Sequence, residues 1–218
     1  MSELPSLSDI VQTLVVWAPG VILAITLHEW AHGFAADRFG DPTPRALGRL
    51  TLNPLAHIDW VWTVLVPGAL LIFAGFAFGG AKPVPVNPRY FRRPFRLALF
   101  SVAIAGPLMN LVLATLCVLL FRAVVTLPDF FAIPLMEMLR AAIVMNVLLA
   151  VFNMLPLPPL DGGRVAVALL PAPLDRHLAR LEPHGLIILV LLMVSDVLDV
   201  VLRPAMQAVF LLLNQLAS

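Results

Sequence analysis

Charged residues are scarce in this chain of 218 residues: Asp, Glu, Lys and Arg together make up 12% of it. Hydrophobic residues make up 61%, and the mean hydropathy is +0.96. Soluble domains carry about 25% charged residues, so this composition excludes an ordinary soluble globule and indicates a protein embedded in lipid. The net charge of +1, without a long run of Lys or Arg, gives no electrostatic case for nucleic acid as a partner.

Cysteine is almost absent. Cys117 is the one cysteine of the chain and lies inside an apolar run, which excludes a disulfide framework or a thiolate metal cluster within one chain. Any metal site would therefore use His, Asp or Glu. Since no Lys or Arg precedes the first apolar run, we expect that run to be a retained helix and not a cleaved secretory signal.

Apolar runs of near-membrane length dominate what is present. Five of them, followed by a shorter one after Arg203-Pro204, cover residues 10–34, 61–78, 97–121, 135–155, 186–202 and 205–216. They predict an all-α polytopic membrane protein. We expect residues 1–218 to form one integral-membrane domain, with a core at about 10–164 and C-terminal helices at about 185–217.

The sequence His28-Glu29-Trp30-Ala31-His32 stands near the end of the first run. Residues four apart lie on the same face of a helix, so both imidazoles can reach one zinc ion while Glu29 addresses its water. The alternative is that both histidines are satisfied polar residues in a packed core. Three ionisable groups so close together in a membrane helix are costly without a function, which favours a metal site.

A hydrolytic zinc site usually takes three protein ligands and leaves the fourth position for water. Asp161 stands out by its surroundings, because prolines before it break the helix and Gly162-Gly163 after it permit a close approach of the chain. It could equally cap a helix or form a turn. The acidic and histidine candidates for a third ligand are His57, Asp59, Glu137, Asp161, Glu182, His184, Asp196 and Asp199.

These residues resemble the site-2 protease family of intramembrane zinc metalloproteases. The resemblance rests on the H-E-x-x-H sequence and on a distal Asn153-x-x-Pro156 followed by Leu160-Asp161-Gly162. Two further elements match, Gly106-Pro107-Leu108-Met109-Asn110 and the stretch at residues 78–88, the latter resembling the small bacterial branch without PDZ or CBS domains. The resemblance covers about residues 27–164.

The resemblance implies that His28, His32 and Asp161 are Zn2+ ligands and that Glu29 is the catalytic base. It also implies a three-helix catalytic core built by the first, third and fourth runs, and a contact of Asn153 with the substrate. Without CBS domains, no nucleotide partner is expected. His57 also fits the small branch, but it has no assigned role and we expect it to be structural.

The distribution of positive charge predicts the topology. Pro67-Gly68 at the centre of the second run favours a re-entrant segment at residues 61–78. With the first run entering from outside, this arrangement leaves Arg122, Arg140 and Arg203 outside. It places eleven of the 14 basic residues on the cytoplasmic side, namely Arg38, Arg45, Arg49, Lys82, Arg89, Arg92, Arg93, Arg96, Arg164, Arg176 and Arg180.

The sequence therefore predicts an intramembrane zinc endopeptidase that cuts in or near the transmembrane segments of other membrane proteins. Its partners would be a transmembrane protein substrate and the lipid bilayer, and its place the bacterial inner membrane, with the active site toward the cytoplasm. One alternative is another membrane zincin, such as a prenyl-protein protease, with Glu137 or Glu182 as the third ligand. The other is a metal transporter or metal-binding scaffold without protease activity.

Overall fold

A computed structural model of the chain describes residues 6–65, 80–92, 94–195 and 197–217. These residues are helical or irregular, and no β-strand occurs among them. The α-helices are α1 (Leu7–Arg38), α2 (Thr43–Ala46), α3 (Phe95–Val124), α4 (Asp129–Asn153), α5 (Asp161–Leu169), α6 (Leu174–Ala179), α7 (Gly185–Val194) and α8 (Val197–Ala217). Shorter turns are 3-10 helices at Pro54–Ala56, Pro88–Tyr90 and Glu182–His184 and a π-helix at Trp60–Leu65.

Five helical stretches in the described part of the chain are long and apolar enough to cross a membrane. They are Leu7–Arg38, Phe95–Val124, Asp129–Asn153, Leu174–Val194 and Val197–Leu216. An isolated helix needs about 20 apolar residues to cross a bilayer, and each of these stretches meets that length. The prediction of an all-α polytopic membrane protein is confirmed.

Helix α1 has a capped beginning and carries the paired histidines near its end. The Ser6 hydroxyl accepts the N–H of Asp9 at 3.2 Å, and the Asp9 carboxylate accepts the N–H of Ser6 at 3.0 Å. This reciprocal pair satisfies backbone donors that the first helical turn leaves free. From there the helix continues through Pro19 to Arg38.

Helices α1, α3 and α4 pack against one another and form the core of the molecule. Small buried residues such as Ala24 on α1, Ala103 on α3 and Ala142 on α4 line their contacts. Lipid supplies no hydrophobic driving force for helix association, so membrane helices associate through close packing. Small residues allow that close approach. At the beginning of α3 a cluster of buried residues ties this helix to the end of α1: Ala36, Phe91, Ala98 and Val102.

The predicted re-entrant segment falls largely on residues 66–79, which lie outside the described residues. Its described flanks lie side by side. Thr63 Oγ1 donates to the carbonyl of Gly80 at 2.7 Å, and the N–H of Lys82 donates to the carbonyl of His57 at 2.9 Å. The described residues on the two sides of this segment are therefore in contact with each other.

The C-terminal helices differ from the predicted runs. The sequence places a boundary at Arg203-Pro204, whereas the structure ends α7 at Val194 and runs α8 through Pro204. Arg203 is held inside α8 by Asp199, one turn earlier, with Nε to Oδ2 at 3.1 Å. The proline ring therefore interrupts one hydrogen bond of α8 without ending the helix.

This change of boundary also reverses the direction expected for the last helix. Val201 and Ala205 line a cavity of about 440 Å³ together with Met154 and Leu155, which follow the end of α4. Leu213 instead packs beside Val118, in the distant half of α3, and beside Val147, six residues before the end of α4. Helix α8 thus begins at the end of the bundle where Asp161 lies. Since α7 ends at Val194, residues 186–202 do not form one helix, and Arg203 does not lie at the opposite end of the bundle from Asp161.

Candidate metal centre

Three side chains from two separate parts of the chain converge in the buried core. His28 and His32 project from α1, and Asp161 stands at the first position of α5. The His28 Nε2 and His32 Nε2 atoms lie 3.0 Å apart, and each lies 3.2 Å from Asp161 Oδ2. All three residues are at most 9% exposed, so they form a compact set of ligand atoms away from bulk water.

This set fits a zinc ion. Tetrahedral zinc with bonds of about 2.0–2.1 Å to nitrogen and oxygen holds its ligands roughly 3.3 Å apart. The three observed separations are close to that value, and two imidazoles with one carboxylate are a donor set that zinc commonly uses. Within the described residues this is the one group of three or more His, Cys, Asp or Glu side chains with such a geometry.

A buried amide network orients His28. Its Nδ1 donates to Asn110 Oδ1 at 2.6 Å, and Asn110 is fully buried on α3. The Asn110 Nδ2 group donates to the carbonyl of Ala24 at 3.2 Å and to Asn146 Oδ1 at 2.9 Å. Because the amide nitrogen is committed to these acceptors, its oxygen faces the imidazole. The proton of His28 is thereby held on Nδ1, which leaves the Nε2 lone pair for a metal.

His32 is oriented by backbone in the same way. Its Nδ1 donates to the carbonyl of Val102 on α3 at 2.7 Å. Gly106, one turn further along α3, faces both rings: a Cβ atom built there would lie 2.6 Å from His28 Cε1 and closer still to His32 Nε2. Only glycine leaves room for the two imidazoles at this distance from the α3 backbone.

The prolines and glycines around Asp161 explain how it reaches the histidines. After α4 the chain turns at Met154–Leu155 and passes through Pro158 before α5 begins. Gly162 and Gly163 pack directly on this turn, because a Cβ at either position would overlap backbone atoms of Met154, Leu155 or Leu157. This close packing fixes the first turn of α5 and with it the position of the Asp161 carboxylate.

The remaining predicted residues lie outside the ligand set. Glu29 is half-buried, and its Oε2 accepts the N–H of Val84 at 2.7 Å. Asn153 closes α4 and donates from Nδ2 to the carbonyl of Leu149 at 3.0 Å. His57 is 1% exposed and donates from Nε2 to the carbonyl of Thr51 at 2.9 Å.

Two members of the site carry no role in the sequence analysis. Asn110 appears there only as part of a matching motif, and Asn146 does not appear at all. A signal for both exists, since each is an amide near the middle of a predominantly apolar run, and such side chains are expensive in lipid unless they are paired. Their pairing with each other and with His28 depends on helix contacts that no sequence spacing reveals.

Comparisons with known proteins show which family the chain belongs to. The family model described as Peptidase family M50 matches residues 17–132 and 124–195. A Bacillus subtilis protein named "Putative zinc metalloprotease YwhC" is 40% identical over 192 residues, which is 86% of this chain and 84% of that protein. A Mycolicibacterium smegmatis protein named "Putative zinc metalloprotease Rip2" is 32% identical over 185 residues, 83% of this chain and 67% of its own length. No solved structure matches.

The fold and the buried His–His–Asp group define an integral membrane protein with a candidate metal centre. With the matches above, the chain belongs to peptidase family M50, and it is a zinc metalloprotease. The resemblance to site-2 proteases is thereby confirmed.

Proposed function

We propose that this protein is an intramembrane endopeptidase that hydrolyses peptide bonds in or near the transmembrane segments of other membrane proteins, in the manner of regulated intramembrane proteolysis. The observation that carries this proposal is the convergence of His28, His32 and Asp161 inside a bundle of membrane-capable helices. A hydrolytic centre buried among such helices can meet a peptide bond only where the substrate itself enters the membrane region.

In this proposal His28, His32 and Asp161 are the three protein ligands of a Zn2+ ion. Zinc, when bound there, supplies a Lewis acid that polarises the scissile carbonyl and makes water a better nucleophile at neutral pH. The protein contributes neutral imidazoles with their lone pairs on Nε2, because Asn110 and the Val102 carbonyl hold the protons on Nδ1. Asp161 contributes the negative charge of the site.

Glu29 is the proposed base. It takes a proton from the attacking water as the new carbon–oxygen bond forms, and it returns that proton to the amide nitrogen as the carbon–nitrogen bond breaks. The products are one new carboxyl end and one new amine. Glu29 follows His28 directly in α1, so its backbone is fixed by the same helix that carries both imidazoles.

The protein is proposed to lie in the inner membrane of a bacterial cell, with its active site open toward the cytoplasm. In the topology predicted from the sequence eleven of the 14 basic residues lie on that side, as the positive-inside rule requires, and the direction of α8 brings Arg203 toward the same side. His28 stands ten residues before Arg38, or about 15 Å along the helix, so water must enter a polar cleft below the headgroups.

We propose that residues 1–218 act as a single domain.

A substrate helix must unwind before it can be cut, because its carbonyls are hydrogen-bonded within the helix. Asn153 is proposed to hold the unwound segment. Its place at the last turn of α4, eight residues before Asp161, leaves an amide at the border between helix and irregular backbone. In the structure its Nδ2 bonds to its own helix, and its Oδ1 is the atom proposed to accept from the substrate.

The proposed function is tested with purified protein in liposomes and a panel of reporters. Each reporter is a fluorescent protein fused to a single transmembrane helix, in which an Asn-Pro pair is moved one turn at a time. The parent protein should cut the reporters whose pair lies near the depth of the metal centre. Glu29→Gln should bind as much zinc per chain as the parent and cut none of them, because it loses the base and keeps both imidazoles.

Three outcomes would overturn the proposal. The parent protein could leave the whole panel intact, or Glu29→Gln could retain cleavage. Glu29→Gln could also lose its zinc together with its activity, which would make Glu29 a ligand or a structural residue instead of a base. Zinc is measured by mass spectrometry on the same samples, so these cases are separated directly.

A further inference from the structure

A non-helical segment, residues 82–87, lies against the end of α1 beside the proposed base. Val84 in this segment is 7% exposed, and its N–H donates to Glu29 Oε2 at 2.7 Å. Gly33, one turn after Glu29, lets the segment come close, since a Cβ there would lie 3.1 Å from Val84 Cγ1. One carboxylate oxygen of Glu29 is therefore held by backbone that does not belong to its own helix.

Two buried charged side chains hold this segment at its ends. Asp41 is fully buried, and its Oδ2 accepts the N–H of Asn87 at 2.6 Å. Arg49 is 8% exposed, and its Nη2 donates to the carbonyl of Lys82 at 2.6 Å. The N–H of Lys82 donates in turn to the carbonyl of His57 at 2.9 Å. Residues 82–87 are thus bound at both ends, with Val84 between the two attachments.

The burial of these charges calls for an explanation. Among the described residues neither Asp41 nor Arg49 forms an ion pair. Arg49 donates to backbone carbonyls, and Asp41 accepts the N–H groups of Thr43 and Asn87 together with the Thr43 hydroxyl. Burying a charged side chain is costly unless its hydrogen bonds compensate. Arg45 and Asp37, by contrast, pair with each other in a salt bridge, with Nη2 to Oδ2 at 2.7 Å and the arginine largely exposed.

We propose that Asp41 and Arg49 are positioning residues for the catalytic base: they hold residues 82–87 so that the Val84 N–H fixes Glu29 Oε2. The other oxygen, Oε1, is then left to take the proton from water. This inference rests on the proposed function, in which Glu29 is the base. A base held within a few tenths of an ångström reacts far better than one free to rotate.

The first test compares Asp41→Ala and Arg49→Met with two matched controls, Asp37→Ala and Arg45→Met. The controls remove the same charges from a surface pair that does not touch residues 82–87. We expect kcat on a cleaved reporter to fall by about 10–100-fold in the first two variants, the range for groups that orient an active site from outside it. KM and zinc per chain should stay at the parent values, and the controls should cleave like the parent.

Conservative variants separate positioning from general stability. Asp41→Asn keeps an acceptor for the N–H of Asn87, and Arg49→Lys keeps a donor for the carbonyl of Lys82, so both should recover much of the lost kcat.

The sharpest variant changes one atom. An ester in place of the amide between Pro83 and Val84, introduced with α-hydroxyvaline by nonsense suppression, removes the N–H and keeps the side chain. We expect a loss of kcat similar to that of Asp41→Ala, with zinc retained. If the ester protein cleaves at the parent rate while Glu29→Gln is inactive, this inference is overturned and the proposed function stands. If Glu29→Gln is itself active, the proposed function has failed.

Discussion

The imidazole of His28 on α1 donates from Nδ1 to the side-chain oxygen of Asn110 on α3, with 2.6 Å between the two atoms. Asn110 is fully buried, and its Nδ2 group donates to the carbonyl of Ala24 and to Asn146 Oδ1. A single side chain thus joins all three core helices and sets the proton of one proposed ligand. The candidate metal centre is therefore part of the helix packing and not an addition to it.

Replacing Asn110 should weaken metal binding without removing a ligand. We expect Asn110→Leu to lower zinc affinity by about 10–100-fold, because an unanchored His28 can rotate and no longer keeps its proton on Nδ1. Asn214→Leu, at an exposed position near the end of α8, is the control and should bind zinc like the parent. Competition with a zinc chelator measures both affinities. Equal affinities for Asn110→Leu and the parent would contradict this role.

Gly106 should be equally sensitive for a steric reason. A methyl group at this position overlaps the ring atoms of His28 and His32, so Gly106→Ala should push the imidazoles apart and abolish stoichiometric zinc binding. Gly80→Ala is the matched control, because a Cβ there meets no atom within 4 Å. Zinc per chain is the readout. Full zinc occupancy in Gly106→Ala would show that the rings can shift without cost.

The membrane topology can be tested with single cysteines in a Cys117→Ala background. Ala46→Cys and Arg89→Cys, which flank the predicted re-entrant segment, should be labelled from the same side of the membrane. Thr126→Cys, in the turn between α3 and α4, should be labelled from the other side. A membrane-impermeant thiol reagent applied to intact cells and to inverted vesicles gives the answer. Labelling of Ala46→Cys and Arg89→Cys from opposite sides would mean that residues 61–78 cross the bilayer.

The direction of α8 gives a further prediction. Its beginning lies beside the turn that follows α4, and its end lies beside Val118 in the distant half of α3. Ser195→Cys should therefore share the labelling side of Ala46→Cys, and Asn214→Cys should share that of Thr126→Cys. The reverse pattern would favour the topology expected from the sequence, in which Arg203 lies opposite Asp161.

Much of the fold follows from the sequence because lipid imposes a simple rule, namely that a long apolar run forms a helix. The runs at 10–34, 97–121 and 135–155 match the cores of α1, α3 and α4. The end of α7 is less predictable, since Val194 and Ser195 carry no helix-breaking signal, whereas Pro204, which does, is accommodated inside α8.

The candidate site also has parts that the sequence predicts and parts that it does not. His28 and His32 are one helical turn apart, so their shared face follows from sequence spacing alone. The approach of Asp161 depends on packing between Gly162-Gly163 and the turn after α4, and the sequence points to it only through its proline and glycine neighbours and the motif resemblance. The contact between Glu29 and Val84 joins residues 55 apart through a backbone N–H, a group that every residue except proline possesses, so no sequence pattern marks it.

The most direct test of the account is zinc binding and cleavage by Asp161→Ala, because this residue ties α5 to a metal otherwise held by α1 alone. With two protein ligands left, we expect zinc affinity to fall by more than the roughly 10–100-fold typical of outer-shell partners, and reporter cleavage to be lost. Asp199→Ala, which breaks only the exposed pair with Arg203, should keep its zinc and its activity. If Asp161→Ala binds one zinc per chain as tightly as the parent and still cuts the reporter, the third ligand lies elsewhere and the proposed centre is wrong.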